Sequence, residues 1–148
     1  MEENVNNQLD ICGSILDIFS MNKQDIRTIS PLTLAYIGDC IYDLVIRTIV
    51  VERGNAPVNK LHKRVSDMVK ASAQMNMYKL IEDELTDKEK AEFKRGRNAK
   101  SYTSAKNASK SDYRSATGFE AMLGYLYLNG ESARVVELIK LGIERQER

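Results

Sequence analysis

The sequence predicts an all-α protein that forms a single domain. Apolar residues recur at helical spacing in every long segment, and no strand-like alternation of useful length is present. Helix start and stop signals separate these segments, for example Ser-Pro at residues 30–31 and Asn-Gly at residues 129–130. With 148 residues, 43% of them apolar and 29% charged, the chain is long enough for one domain with a hydrophobic core and too short for two.

The N-terminal region predicts a short helix and carries no export or membrane signal. Apolar residues from Leu9 to Phe19 stand at helical spacing, which favours an amphipathic helix packed on the rest of the domain. The chain start lacks the basic residues and apolar stretch of a signal peptide, and the longest apolar run contains charges. We therefore expect a cytoplasmic protein. Cys12 and Cys40 stand alone, which is typical of small core residues rather than of metal ligands.

Residues 30–54 predict one long central helix around which the domain is organised. Ser30 is a good N-cap, Pro31 suits the first helical position, and Gly54 can end the helix in a left-handed conformation. Nearly all residues between these signals are apolar, so we expect the helix to be buried on all sides. Three charged residues interrupt it on one face, at intervals of four: Asp39, Asp43 and Arg47.

Asp39 is the first candidate site residue. Arg47 lies one turn beyond Asp43 and can pair with it, whereas the residue one turn before Asp39 is Ala35. Gly38, directly before Asp39, costs about 1 kcal/mol of helix stability relative to alanine, a cost that makes sense if another backbone comes close there. An unpaired carboxylate on a buried helix indicates a functional site. A buried aspartate bonded to a backbone amide or to a distant arginine explains the pattern equally well.

The segment after the central helix predicts two helices, or one helix that bends near residues 71–74. The face opposite its apolar residues carries four basic residues, which are Lys60, His62, Lys63 and Arg64. Solvation of this face explains them most simply, and contact with phosphate is the alternative. His62 is the only histidine in the chain, which excludes a histidine-rich metal site.

A basic segment follows a short helix that begins at the capping-box motif TDKE, residues 86–89, and runs to about Lys94. Residues 94–111 contain six Lys or Arg and no Asp or Glu, although the net charge of the whole chain is only +1. Gly, Ser, Thr and Asn fill much of the remainder, which predicts a long flexible loop. Such a loop favours contacts with phosphate oxygens, while a merely solvated loop is the alternative. The candidate contact residues are Lys94, Arg95, Arg97, Lys100, Lys106 and Lys110.

A second apolar helix with a single acid begins near Ser111 or Asp112 and ends at residues 129–130. From residue 118 to residue 128 its only charged residue is Glu120, and Gly124 lies one turn further along the same face. Each helix therefore combines one unpaired carboxylate with a glycine that permits close approach. We expect the two helices to cross at these glycines and to bring Asp39 and Glu120 together.

A meeting of the two carboxylates predicts a divalent-metal site. Two close carboxylates repel unless a cation lies between them, and their hard oxygen atoms suit Mg²⁺ or Mn²⁺. Beside a basic loop, such a site suggests metal-assisted cleavage of a phosphodiester, in which the loop holds the backbone and the metal activates water. The spacing leaves open a salt bridge for each acid, for example between Glu120 and Arg114 or Arg47. Residues 131–148 predict a last packing helix.

Three motifs within residues 30–128 resemble the ribonuclease III family. LAYIGDCIYDLVIR resembles the motif of its catalytic helix, and TGFEAMLGYLYLNG resembles its second acidic motif. Together with the basic RGRNAKS, they are most similar to Mini-ribonuclease III, the small bacterial branch that has the nuclease domain and no double-stranded-RNA-binding domain. The resemblance implies one catalytic domain over residues 1–148, with a motif-bearing core at about residues 30–128.

The resemblance also implies an activity. It is that of a homodimeric, all-helical endoribonuclease that cleaves double-stranded RNA with Mg²⁺, leaves 5′ phosphates and 3′ hydroxyls, and is associated with maturation of large-subunit (23S) ribosomal RNA. By motif position Asp39 is the expected catalytic aspartate and Glu120 the metal-binding glutamate, so that both carry the chemistry and hold the metal. Ala35 and Thr117 stand where larger family members carry two further acids, which leaves fewer metal ligands and an open metal count.

Two other functions compete with the nuclease. One is an inactive ribonuclease-III-like scaffold for RNA binding or ribosome assembly, whose site has been degraded at Ala35 and Thr117. The other is a helical, metal-dependent phosphohydrolase that acts on nucleotides. Metal-dependent cutting of a duplex separates the nuclease from the scaffold, and hydrolysis of free nucleotides would support the third function.

Overall fold

A computed structural model describes residues 10–100 and 109–147, and within these ranges the protein consists of helices without a β-strand. The all-α prediction is confirmed. Two 3₁₀ turns, Ile26–Thr28 and Glu82–Glu84, lie between the helices. The helices in chain order are α1 (Ile11–Ile18), α2 (Pro31–Glu52), α3 (Val58–Val69), α4 (Ala71–Ile81), α5 (Asp87–Arg97), α6 (Lys110–Leu128) and α7 (Ser132–Gln146).

Most helices begin at the capping residues that the sequence predicts. The Ser30 hydroxyl accepts a hydrogen bond from the Thr33 backbone N–H at the start of α2. Thr86 and Glu89 form the reciprocal bonds of a capping box at the start of α5. The predicted start of α6 is wrong by a few residues, because Ser109 rather than Ser111 or Asp112 is the N-cap.

Helix α6 occupies the centre of the domain. Between Phe119 and Tyr127, every residue except Glu120 and Tyr125 is buried. This helix packs against α2, α4, α5 and α7, so its side chains supply much of the core. The Phe119 ring meets the Tyr42 ring of α2 edge-on, with centroids 5.3 Å apart.

Helix α2 lies on one side of α6, and the expectation that it is buried on all sides is wrong. Its inner face, which includes Leu34, Tyr42 and Ile46, is almost fully buried. Its outer face leaves Tyr36 80% exposed and Leu44 49% exposed. The reason is that α6 takes the central position, so one face of an apolar helix remains at the surface of this chain.

The region after α2 forms two separate helices rather than one bent helix. The helix is interrupted at Lys70, whose extended backbone (φ −64°, ψ 157°) ends α3 and precedes α4.

The two cysteines differ in their burial. Cys12 is buried as expected, but Cys40 is exposed on the outer face of α2, so its prediction as a core residue is wrong. In the described ranges, no helix combines the length and apolarity that a membrane span needs.

Candidate active site at the crossing of α2 and α6

Helices α2 and α6 approach each other at two glycines, as the sequence predicts. A Cβ atom at Gly38 would overlap the backbone carbonyl oxygen of Glu120. A Cβ atom at Gly124 would overlap the carbonyl oxygen of Leu34. Because the obstructing atoms belong to the partner backbone, any larger residue at either position would push the helices apart. The close crossing therefore depends on both glycines.

The crossing places the Asp39 and Glu120 side chains next to each other, because the Gly38 backbone packs directly on the backbone of Glu120. Asp39 is exposed and Glu120 is half-buried, so the expectation that both acids are buried is wrong for Asp39. Burial raises the pKa of Glu120 to about 9, and the hydrogen bond with Asp39 and its negative charge act in the same direction. In the absence of a cation, the pair therefore retains a proton at neutral pH.

The alternative prediction, that Asp39 and Glu120 each form a separate salt bridge, does not hold among the described residues. The Asp43 carboxylate pairs with Arg47 at 2.7 Å, as predicted, which engages one of the two arginines considered for Glu120. Among the ion pairs between described residues, none involves Asp39 or Glu120. The two acids thus face each other rather than a cationic side chain.

Asp39 and Glu120 together offer only a few oxygen ligands for a cation. Within residues 10–100 and 109–147, no cluster of three or more His, Cys, Asp or Glu residues is arranged to hold a metal ion. Ala35 is buried without a polar side chain, and the Thr117 hydroxyl donates to the Tyr113 carbonyl of its own helix at 3.0 Å. Mg²⁺ is commonly bound through one or two carboxylates while it keeps several waters. Two hard carboxylates that share a displaceable proton fit such an ion.

Gln74 is a residue at this site that the sequence analysis did not identify. It lies in α4, is only 3% exposed, and donates a hydrogen bond from its Nε2 to the Val69 carbonyl at 2.8 Å. A hydrogen bond from Gln74 also lowers the pKa of Glu120, against the larger effect of burial. The signal that could have revealed it is a glutamine on the apolar face of α4, where Met77, Tyr78 and Ile81 are buried.

The basic segment differs from the predicted loop, because its first part is helical. Lys94, Arg95 and Arg97 form the last turn of α5, where positive charge interacts favourably with the C-terminal end of the helix dipole. Gly96, between them, packs against Gly118, which holds this turn next to the site-bearing helix α6. Lys100 is exposed beyond the helix, Lys110 is the first residue of α6, and Lys106 lies outside the described residues.

Arg95 is exposed, but its side chain also binds other groups of the protein. Its guanidinium lies 2.9 Å from the Glu92 carboxylate, whose side chain is almost completely buried, and it also donates to the Ile29 carbonyl at 3.4 Å. The bond to Ile29 joins α5 to the segment before α2. Lys94 and Lys100 are exposed, and Arg97 is exposed beside the Phe93 ring. These three are the freer candidates for contact with phosphate.

Known proteins are similar to this chain in sequence and in fold. The Ribonuclease III domain profile matches residues 32–131. Mini-ribonuclease 3 of Clostridium tetani is 51% identical over 126 residues, which cover 84% of this chain and 83% of the relative. Mini-ribonuclease 3 of a Thermoanaerobacter species is 48% identical over 124 residues, which cover 84% of this chain and 87% of the relative. A crystal structure of a Fusobacterium nucleatum protein superimposes with a TM-score of 0.74 and 31% identity, covering 84% of this chain and 99% of that one.

Proposed function

This chain belongs to the Mini-ribonuclease III branch of the ribonuclease III family, and from this premise we propose that it is a Mg²⁺-dependent endoribonuclease that cleaves double-stranded RNA. The observation that carries the proposal is the contact between Asp39 and Glu120 across the α2–α6 crossing. Two carboxylates in contact, with no cationic side chain paired to either among the described residues, match a site that is completed by a divalent cation. Mn²⁺ has the same preference for oxygen ligands and is the expected substitute.

The two acids have different positions, which give them different tasks in the proposed reaction. Asp39 is exposed, so a duplex at the protein surface can reach its carboxylate. Glu120 is half-buried and its carboxyl must lose its proton before both acids can hold a cation. When bound there, Mg²⁺ supplies charge neutralisation at the phosphate and makes water more acidic. Asp39 and Glu120 would hold the ion at the surface beside the RNA backbone.

The expected bond changes follow from products with 5′ phosphates and 3′ hydroxyls. A bond forms between a water oxygen and phosphorus, and the bond between phosphorus and the 3′ oxygen breaks. The water loses a proton and the 3′ oxygen gains one, so the reaction needs no oxidant or reductant. No base edge takes part, which agrees with a site that acts on any accessible duplex backbone.

The basic turn at the end of α5 is the proposed RNA-contact surface. Its Lys94 and Arg97 side chains, together with Lys100 just beyond the helix, are exposed near the α6 helix that carries Glu120. Lys110 and Lys106 are proposed as further contacts, and Arg95 as a contact that also anchors the turn. A-form RNA hides its base edges in a deep groove, so these contacts would recognise phosphates and shape rather than sequence.

The triple variant Lys94→Gln, Arg97→Gln and Lys100→Gln is expected to bind duplex RNA more weakly, to about the same degree for every sequence. Each lost phosphate contact should also reduce the slope of log affinity against log salt concentration by nearly one. Filter binding over a range of KCl concentrations measures both quantities. Lys140→Gln, an exposed lysine on α7 that pairs with Glu144, is the matched control. Equal losses in both proteins would contradict this surface.

A homodimer is the proposed assembly, and the outer face of α2 is its proposed interface. Tyr36, Leu44 and Val51 are exposed along one side of this helix, at 80%, 49% and 53%. Large apolar side chains exposed on one side of a helix indicate an interaction site, and a twofold dimer would cover the same face on each copy. Sedimentation velocity is expected to give twice the 16.8 kDa chain mass, and Tyr36→Glu to give monomers. A monomeric wild-type protein at high concentration would refute the dimer.

The proposed natural substrate is precursor large-subunit ribosomal RNA. The experiment that tests the function is incubation of the purified protein with this precursor and with a generic RNA duplex, in Mg²⁺ and in Ca²⁺, followed by mapping of the RNA ends. Mg²⁺-dependent products with 5′ phosphates are expected from both RNAs, with defined ends on the precursor. A protein that binds both RNAs but yields no metal-dependent product would be a scaffold rather than a nuclease.

A further inference from the structure

We propose that Glu92 is a positioning residue for RNA binding, which holds the Arg95 guanidinium at the surface so that it can contact a phosphate. The inference rests on the proposed function, because it assigns a task at the proposed RNA-contact surface at the end of α5. Glu92 would act through Arg95 and would not itself contact the RNA. Neither residue belongs to the acidic pair at the α2–α6 crossing.

Glu92 is a buried carboxylate that binds two cationic side chains of its own helix. Its side chain is only 2% exposed. Both of its oxygen atoms accept hydrogen bonds from Arg95 Nη1, at 3.1 Å and 2.9 Å. The Lys88 ammonium lies 3.2 Å from Glu92 Oε1. Because the three residues are spaced four and three positions apart in α5, they share one face of the helix.

Stability alone does not explain a buried carboxylate in α5. Taking a charge out of water is costly, and the attraction of a partner commonly only offsets this cost. Apolar side chains of similar size are often at least as stabilising at such positions. What Glu92 adds to the structure is therefore a fixed partner for the basic side chains on either side of it, and Arg95 is the one that lies in the RNA-contact turn.

A second contact holds the other end of the Arg95 guanidinium. Its Nη2 donates a hydrogen bond to the Ile29 backbone carbonyl at 3.4 Å. A long side chain loses conformational freedom when it binds a ligand, and this loss weakens binding. Because Glu92 and Ile29 engage the two Nη groups, Arg95 has lost much of this freedom before any RNA arrives. A phosphate contact by Arg95 would therefore have a smaller entropic cost than a contact by a freely moving lysine.

The held guanidinium still has hydrogens to offer to a ligand. The Arg95 side chain is 41% exposed. A guanidinium carries five N–H donors, and in its bonds to described residues Arg95 uses Nη1 and one hydrogen of Nη2. The Nε–H and the second Nη2 hydrogen remain. Two N–H groups of one guanidinium commonly bind two oxygens of the same phosphate. Arg95 can thus bind Glu92 and an RNA phosphate at the same time.

Positioning and simple charge predict opposite effects when the Glu92 carboxylate is removed. Loss of a negative charge beside a phosphate-binding surface would by itself tighten RNA binding. Loss of a positioning residue weakens binding, because Arg95 must then become ordered as the RNA binds. Ordering one long side chain corresponds to about 2- to 10-fold in affinity. The sign of the change therefore separates the two roles of Glu92.

The test measures the affinity of Glu92→Gln for a short RNA duplex by filter binding in EDTA, which removes the cation that cleavage needs. The dissociation constant is expected to rise by about 2- to 10-fold. The slope of log affinity against log salt concentration should stay the same, because Arg95 still contacts its phosphate. Arg95→Gln should instead reduce this slope by nearly one. In a protein that already carries Arg95→Gln, Glu92→Gln should have no further effect on affinity.

The matched control is Glu144→Gln on α7. Glu144 is an exposed carboxylate that pairs with Lys140 at 3.6 Å, so the control removes the same charge from another ion pair. It should bind RNA as the wild type does.

Two further variants keep the charges and disturb only the contact. Glu92→Asp keeps the negative charge on a shorter side chain. Arg95→Lys keeps the positive charge, but its single nitrogen cannot replace both Nη groups. Both variants should bind RNA more weakly than the wild type with an unchanged salt slope. Arg95→Lys leaves the buried position intact and so decides the matter if the Glu92 variants do not fold.

The remaining outcomes would overturn the inference. Tighter or unchanged RNA binding by Glu92→Gln would mean that Glu92 only neutralises Arg95. A lower melting temperature with unchanged affinity would make Glu92 a structural residue. Wild-type affinity in Arg95→Gln would mean that Arg95 is not an RNA contact. None of these results touches the proposed nuclease function, which instead fails if the wild-type protein yields no metal-dependent cleavage products.

Discussion

Asp39→Asn is expected to abolish the cleavage of double-stranded RNA and to leave the fold and RNA binding intact. Asparagine keeps the size of aspartate but loses the negative charge that a divalent cation requires. Loss of such a ligand removes several kcal/mol of transition-state stabilisation, so the cleavage rate should fall by at least about a thousandfold. Because Asp39 is exposed, its charge is not needed to build the core. Single-turnover cleavage of a labelled duplex measures the rate, and filter binding measures the affinity.

Asp43→Asn is the matched control for this experiment. Asp43 lies one turn further along α2 and differs from Asp39 in having a partner, because Arg47 pairs with it at 2.7 Å. Half-exposed pairs of this kind contribute about 1 kcal/mol or less to stability, so this variant should fold and retain most of its activity. Cutting by Asp39→Asn at the wild-type rate, or equal losses in the two variants, would end the assignment of Asp39 as the catalytic aspartate.

The second large expected effect is a loss of stability of the cation-free protein as the pH rises. A divalent cation should restore this stability. Burial, together with the hydrogen bond and charge of Asp39, raises the pKa of Glu120 from 4.5 to about 9 in the cation-free protein. A raised carboxyl pKa means that the folded state holds a proton that the unfolded state releases. The stabilising contribution is therefore complete below about pH 4.5 and is lost as the pH rises towards about 9. The cation-free melting temperature should fall across this interval.

Mn²⁺ should raise the melting temperature most at pH values close to the pKa of Glu120, because the carboxyl then loses its proton most easily. A cation that binds only the folded, ionised pair raises the melting temperature by mass action. The increase should thus be larger at about pH 8.5 than at about pH 6. Glu120→Gln is expected to lose both the fall in stability with pH and the response to Mn²⁺. Thermal unfolding with and without Mn²⁺ at the two pH values provides the measurement, and a pH-independent response that survives in Glu120→Gln would rule out this linkage.

A different carboxyl group, that of Glu89, affects how stability changes at acidic pH. Burial alone would raise the pKa of Glu89, but hydrogen bonds from Arg134 and Thr86 outweigh it and hold the pKa below its usual 4.5. A lowered carboxyl pKa contributes stability above about pH 4.5, and this contribution is lost as the pH falls. The Glu89–Arg134 pair therefore does not contribute to the loss of stability expected between neutral and alkaline pH.

Much of the fold and the position of the acidic pair could be predicted from local signals. Ser30 and Pro31 fix the start of α2, and the capping box of Thr86 and Glu89 fixes the start of α5. The meeting of the two acids was predictable because each is an acid without an evident charged partner in its apolar stretch, and each lies near a glycine. Glycine inside a helix has a cost that close packing explains.

The features that were missed depend on contacts between distant parts of the chain. Hydrophobicity alone does not reveal whether the neighbour of an apolar face belongs to the same chain, so the exposed side of α2 was predicted to be buried. The helical end of α5 includes Gly96, a poor helix former that is held in place by its packing against Gly118 of α6. Gln74 is on a third helix, and no spacing along the sequence relates it to Glu120.

The central claim is that Asp39 and Glu120 together hold a divalent cation at the crossing of α2 and α6. Anomalous X-ray diffraction from crystals of the wild-type protein grown with Mn²⁺ tests it most directly. We predict an anomalous peak within about 2–2.5 Å of carboxylate oxygens from both residues, with water completing the coordination. The claim would be contradicted by two carboxylates still hydrogen-bonded to each other at saturating Mn²⁺, or by manganese bound only elsewhere on the protein.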